Sequence, residues 1–252
     1  MGNKPLRLGN NIHAETETMT GKSNMYTKSV KQWNPFVGCR FDCSYCFASF
    51  RRQIRRWGKK HCQKCYNFEP HFHPERLTQW LPRTKPGEFI FACAMGDVAF
   101  AERSNLYHIN SLIWAWPDRT FLLQSKNPSC FSDRQLRLPD NVILGTTIET
   151  NRDKGYDKIS KAPPPSQRFA EFLEVKHPRK MLTIEPIMDF DLDVMAHWIR
   201  QVNPETVWIG YDSKKTGLPE PPLSKTQEIV RILQPFIFTK TMRPSLQEKP
   251  KP

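Results

Sequence analysis

Three cysteines, Cys39, Cys43 and Cys46, are grouped as C-x3-C-x2-C in the stretch GCRFDCSYCFA. A single tight loop at this spacing can carry three thiolates onto three irons of an iron–sulfur cube, leaving the fourth iron open to another ligand. Soft sulfur donors select Fe–S, Zn or Cu(I) over hard cations. A closed structural zinc site needs a fourth ligand that this loop does not itself provide. The other readings of the spacing are zinc with a ligand from elsewhere, or cysteines that only pack.

A second group follows in HCQKCYNFEPHFH, where Cys62 and Cys65 stand at C-x2-C with His61, His71 and His73 close by. Two thiolates and two imidazoles satisfy zinc. The step from Cys65 to the histidines is shorter than in a zinc finger, and the plainer reading makes His73 a helix-start residue and Cys62 and Cys65 free thiols. Cys93 sits in a buried strand pattern and Cys130 in a loop, and both read as structural. Between the two groups, ASFRRQIRRWGKK puts Arg51, Arg52, Arg55, Arg56, Lys59 and Lys60 on about half of a helical wheel, with Phe50, Ile54 and Trp57 opposite. That face suits phosphates, or simply keeps the helix soluble.

Something must position these groups, and the rest of the chain reads as βα units. Its 252 residues suit one large domain. Residues 1–28 and 241–252 are polar and read as poorly ordered ends around a domain of 29–240. Near-continuous apolar runs predict strands at Trp33–Gly38, Phe89–Ala94, Thr120–Ser125, Val142–Ile148, Lys180–Ile184 and Thr206–Gly210, with a seventh at Phe236–Thr239. Helical patterns fill the gaps at Ala48–Trp57, Pro74–Trp80, Asn105–Trp116, Ser166–Val175, Leu192–Val202 and Ser224–Leu233, the last with Ser224 as its capping residue. Six or seven such units make a partly closed barrel or a doubly wound sheet, and both carry function at the carboxyl ends of their strands. The residues expected there are Gly96 and Asp97, Ser125 and Lys126, Glu149, Glu185, and Tyr211 to Ser213. The plainer role for the two glutamates is a solvated loop charge, or an ion pair with Lys126 or a neighbouring arginine.

Lys and Arg number 38 against 25 Asp and Glu, a formal charge of +13, which favours polyanionic partners such as nucleic acid. No run approaches the roughly 20 apolar residues of a membrane span, and the opening MGNKPLRLGNN lacks the apolar centre of a signal peptide. A reducing cytoplasm is therefore expected, where clustered cysteines mean metal more often than disulfides.

CRFDCSYCFA resembles the cluster loop of radical SAM enzymes, including the aromatic Tyr45 before the third cysteine. The series WNPFVGC, CFA, FHPERL, AMGDVAF, FLLQSKNP, LGTTIET and LTIEP, over Gln32 to Gly210, is similar to an uncharacterised, phage-type family of that superfamily, found also in bacteria and archaea. The resemblance implies a partial (βα)6 TIM-like barrel and a 4Fe-4S cluster on Cys39, Cys43 and Cys46. It also implies S-adenosylmethionine at the open iron, an electron donor, and reductive cleavage to a 5'-deoxyadenosyl radical. By the same resemblance Gly96 and Asp97 meet the S-adenosylmethionine amino group, although AMGD has one glycine and Asp where the superfamily often has two glycines and Glu. Lys126 would neutralise its carboxylate, and Glu149 and Glu185, with Tyr45 nearby, would complete its contacts. The expected activity is radical chemistry on nucleic acid. The alternatives are a peptide or protein substrate, or a non-enzymatic zinc or iron–sulfur protein that binds nucleic acid.

Overall fold

Strands buried on both faces need neighbours on both sides, and here they find them in chain order. A computed structural model describes residues 26–46, 48–133, 136–234, 237–239 and 242, with the backbone alone for 48–51 and 57. Among them, seven strands form one parallel sheet: β1 (Ser29–Trp33), β4 (Phe89–Ala92), β5 (Phe121–Gln124), β6 (Val142–Thr147), β7 (Lys180–Ile184), β8 (Thr206–Ile209) and β9 (Ile237–Thr239), side by side in that order. The order never reverses, as that of a doubly wound sheet would, and the sheet curls as a half-barrel. A separate antiparallel pair, β2 (Phe36–Val37) and β3 (His71–Phe72), follows β1. The helices are α1 (Ala48–His61), α2 (Gln63–Asn67), α3 (Arg103–Ala115), α4 (Pro165–Glu174), α5 (Leu192–Val202) and α6 (Leu223–Leu233).

Two packed layers follow from strand alternation. Ile90, Leu123, Leu144, Leu182 and Val207 face one way, into a core shared with Ile109, Phe172, Ile199 and Ile229 of the helices. Phe89, Phe91, Leu122, Ile143, Met181 and Trp208 face the other way and close around Tyr26, which is fully buried. The Tyr26 hydroxyl lies 2.6 Å from Gln124 Oε1 and 2.8 Å from Thr183 Oγ1.

Several boundaries differ from those expected. Packed structure includes Tyr26, so it begins ahead of the domain limit drawn at residue 29, and Met242 packs against the core beyond the limit at 240. The first strand is Ser29–Trp33, not Trp33–Gly38: as the edge strand it tolerates the polar SVKQW, and the apolar PFV run goes to the β2–β3 pair. Pro74–Arg76 is a single 3₁₀ turn and not a helix to Trp80, which is exposed and is followed shortly by Pro82. The start of α6 has Pro222 at its cap and no side-chain cap bond, so Ser224 does not serve that role.

Candidate metal centres

The loop bearing the first three cysteines hangs from the carboxyl end of the sheet. Past β1 and β4, Gly38 and Gly96 continue the parallel pairing: Gly38 N donates to Met95 O at 3.0 Å, and Asp97 N donates to Gly38 O at 3.1 Å. A Cβ on Gly96 would fall 2.8 Å from Gly38 O, so only glycine permits this approach. Asn34 helps to hold the junction by accepting Met95 N at 2.8 Å. The chain then crosses to the loop after β6, with Lys161 N donating to Phe41 O at 2.7 Å and Ser44 N to Ile159 O at 2.8 Å. Asp42 takes a left-handed φ of 51°, a conformation Asp tolerates better than most residues. Cys39, Cys43 and Cys46 share one packing cluster with Phe100, Tyr156, Ala162, Met188 and Leu218, which come from loops at the strand ends. Cys43 is buried, with its Sγ 3.0 Å from Ser160 Oγ, while Cys39 and Cys46 are half-buried. Burial pushes the Cys39 thiol well up, and Asp97, Cys43 and Cys46 add to the effect electrostatically. The three cysteines fit a sulfur-ligated group in their donor set, their common loop and their shared packing cluster.

Beside them is a buried charge node. Glu149 is fully buried and pairs with Lys126 and, at 2.8 Å, with Arg168. Tyr45 also donates to it, and Tyr156 does so at 3.1 Å. Burial alone would raise Glu149, but the charges of Arg168 and Lys126 outweigh burial and hold the carboxyl far below the usual range. Asp97 is buried too, and accepts from Ser125 Oγ at 2.5 Å, Lys126 N at 2.8 Å and Ala99 N at 3.0 Å. Burial raises its pKa against the pull of those bonds.

Cys62, Cys65, His71 and His73 converge so closely that their ligand atoms all lie within 4.8 Å of one another, a group that could hold a metal ion. Cys62 is the residue before α2, and its sulfur accepts the backbone N–H of Cys65 at 3.3 Å. His71 comes from β3, and His73 precedes the Pro74 turn. Burial lowers the pKa of His73, favouring the neutral imidazole that metals require.

Residues 25–200, a span that holds both cysteine groups, match the model of a family described as "Protein of unknown function (DUF5131)". The chain belongs to that family. None of the curated proteins matches it.

Within this DUF5131 chain several strand-end residues are brought together, and Glu149 takes the plainer of the two expected roles, an ion pair with Lys126 and a neighbouring arginine. Lys126, expected at a bound ligand, and Arg168 both pair with the single carboxylate of Glu149. Tyr45 is tied to Glu149, and Asp97 caps the turn after β4 and holds the end of β5. Glu185 ends β7 with a partly exposed side chain. Tyr211 is in the core and Asp212 folds its own turn, accepting Lys214 N at 2.8 Å and Thr216 Oγ1 at 2.6 Å. On α1, Arg52, Arg55, Arg56, Lys59 and Lys60 are exposed and Ile54 is buried, while the side chains of Phe50, Arg51 and Trp57 lie outside the described residues. The sequence reading missed Arg168, Tyr156 and Asn34. Arg168 was detectable, because it falls with Pro165 and Phe172 on the buried stripe of α4. Among the described residues no helix is long and apolar enough to cross a membrane.

Proposed function

We infer that this protein is a radical SAM enzyme whose substrate is nucleic acid. The observation that carries the reading is the seat of the cysteine loop: three thiols on one bend, at the carboxyl end of a parallel half-barrel and packed in one cluster among its strand-end loops. Cys39, Cys43 and Cys46 would hold a 4Fe-4S cluster. Such a cluster, when bound, supplies the electron that cleaves S-adenosylmethionine reductively to a 5'-deoxyadenosyl radical. Around it the chain's own residues position and neutralise. Tyr45, between the second and third cysteines, is anchored by its hydroxyl to Glu149, so the loop is tied to the end of β6. Gly96 lets the loop lie against the turn after β4, and Glu185 offers a carboxylate at the end of β7 for a ligand's amino or hydroxyl groups. The exposed cations of α1, which starts two residues after Cys46, supply the phosphate contacts that favour nucleic acid over a peptide.

Anaerobic reconstitution with iron, sulfide and a reductant tests this. The expected result is a 4Fe-4S spectrum and release of 5'-deoxyadenosine, with a rate that responds to added RNA or DNA, and loss of both signals in Cys43→Ala. Reconstituted wild-type protein with no cluster, or retention of cluster and cleavage in Cys43→Ala, would refute the reading. Cleavage stimulated by a protein partner and by no nucleic acid would move the substrate to the protein class.

A further inference from the structure

The Cys62, Cys65, His71 and His73 group lies outside the cluster loop and has no part in the reading above. Three of its sulfur–nitrogen distances suit a tetrahedral coordination shell. His71 Nε2 lies 3.3 Å from Cys62 Sγ and 3.4 Å from Cys65 Sγ, and His73 Nε2 lies 3.2 Å from Cys65 Sγ. A zinc tetrahedron with ordinary Zn–S and Zn–N bonds has S···N edges of about 3.5 Å. Both rings aim the same nitrogen inward. His71 Nδ1 lies 2.7 Å from the Glu69 carbonyl oxygen, which can only accept, so Nδ1 carries a hydrogen and the neutral ring has its lone pair at Nε2. His73 Nδ1 lies 2.6 Å from Glu75 Oε1, fixing the same tautomer. A carbonyl and a carboxylate behind two imidazoles are the outer partners that metal-bound histidines use.

Hydrogen bonding alone does not account for the cluster. Cys65 has one S–H, yet its sulfur contacts the lone-pair nitrogens of two imidazoles. With both imidazoles neutral, one of those contacts lacks a proton, and a shared metal cation removes the shortfall. Two thiolates and two neutral imidazoles around a divalent ion make a neutral unit, which suits a site where Cys65 and His73 are buried. Four protein ligands leave no position for water or substrate, so the site is structural, and mixed sulfur and imidazole ligation in tetrahedral form selects zinc.

We propose that Cys62, Cys65, His71 and His73 bind one structural Zn²⁺ ion, which fastens α1 and α2 to the β2–β3 pair. The segment needs such a fastening. α2 has five residues, too few to hold by itself, and Ile54, Cys65, Phe68 and Val37 form only a small apolar cluster beneath it. Gly58 of α1 lies so near α2 that a Cβ there would fall 2.5 Å from Tyr66 N, which leaves no room for adjustment between the two helices.

Metal analysis and zinc-edge X-ray absorption on the full chain, purified under reducing conditions, test the site. The expected result is one zinc per chain with two sulfur and two nitrogen neighbours, and cobalt substitution should give the intense visible bands of a tetrahedral ion. A Cys39→Ala/Cys43→Ala/Cys46→Ala variant should keep that zinc unchanged, and Cys62→Ala/Cys65→Ala should lose it. Chelation should lower the melting temperature of the wild type. Wild-type protein free of zinc after growth and refolding with Zn²⁺ would overturn the proposal. So would an octahedral cobalt spectrum, a Cys62–Cys65 disulfide in reduced material, or zinc that leaves with the first cysteine group. Because the cluster cysteines are absent from the decisive variant, failure of the iron–sulfur reading leaves the zinc result standing.

Discussion

The Glu149–Arg168 pair lends itself to a quantitative test. Both side chains are fully buried, the contact is 2.8 Å, and Arg168 also donates to the Thr147 carbonyl and lies 4.8 Å from the centre of the Tyr156 ring. Replacing Arg168 by Met removes one partner and leaves the buried carboxylate with Lys126 as its paired cation, beside the two tyrosine hydroxyls. Replacing Glu149 by Gln leaves two cations with no anion. Breaking a buried pair from one side costs about 3–5 kcal/mol, because the charge balance of a desolvated node is upset, and Lys126 puts the Arg168 variant at the lower end of that range. At about 2–4 °C per kcal/mol for a chain of this size, each single variant should melt roughly 6–20 °C below wild type. The double variant removes both charges, and Lys126 is the one ion left, with 16% of its side chain exposed. Its cost should fall short of the sum of the singles by about 1–3 kcal/mol. Anaerobic urea unfolding, followed by circular dichroism, measures all three. Single-variant costs under about 1 kcal/mol, or costs that add within about 0.5 kcal/mol, would refute the reasoning.

The same carboxylate fixes the direction of acid sensitivity. Glu149 titrates lower in the folded chain than its unfolded value of about 4.3, so its stabilisation is complete above that pH and is lost as pH falls toward the folded value. Asp97 is shifted the other way by burial, so it binds a proton more readily when folded and partly offsets that loss. Below about pH 4.5, Glu149→Gln should lose stability with acid more gently than wild type, and Asp97→Asn more steeply. A steeper acid loss in Glu149→Gln would reverse the assignment.

Gly96→Ala puts a Cβ against the Gly38 backbone, where neither partner can yield. It should cost roughly 1–3 kcal/mol, read by urea unfolding, and lower the iron content on reconstitution. If α1 contacts duplex phosphates, log affinity should fall against log salt with a slope near 0.9 per phosphate. Arg55→Gln/Arg56→Gln should then reduce that slope by about 2 units, and an unchanged slope would remove α1 from the interface. Gly38→Ala, with φ at 99° and a Cβ that would fall 2.2 Å from Glu69 O, should lower iron and zinc contents together. Retention of either metal at the wild-type level in Gly38→Ala would count against a shared support.

Where apolar periodicity was strong, the chain could be read directly. Lys180–Ile184 and Leu192–Val202 fall where the pattern put them, because each buries a continuous strand or a full helical stripe. The edge strand β1 escaped notice because one pairing partner suffices for it and its polar residues are tolerated. Tyr26 escaped because one aromatic in a polar flank has no period. At the site, residue type and spacing identified the thiols and imidazoles but not their partners. The charge node needed a cation from α4, which only an arginine on the buried helical stripe could have signalled. Lys126 and Glu149 were legible as strand-end residues, and burial decided that they would meet each other.

The two cysteine groups are not independent features, because one two-residue strand pairing sets both. Val37 pairs with His71 and Phe36 with Phe72; Cys39 follows Val37 by two residues, and His73 follows Phe72 directly. A slip of one residue in that pairing would turn each side chain to the opposite face, taking His71 away from Cys62 and Cys65 while shifting the start of the cysteine loop. Two features resist the slip: the Gly38 approach to Glu69 and Pro70, which tolerates no side chain, and the His73 N–H, which donates to Pro35 O at 2.7 Å. Zinc on the β3 side would add a third, holding β3 by two ligands that flank Phe72. A metal that does no chemistry would then fix the strand pair beside which the loop proposed to hold the iron–sulfur cluster departs. That arrangement accounts for a Cys₂His₂ group so close in sequence to a C-x3-C-x2-C loop.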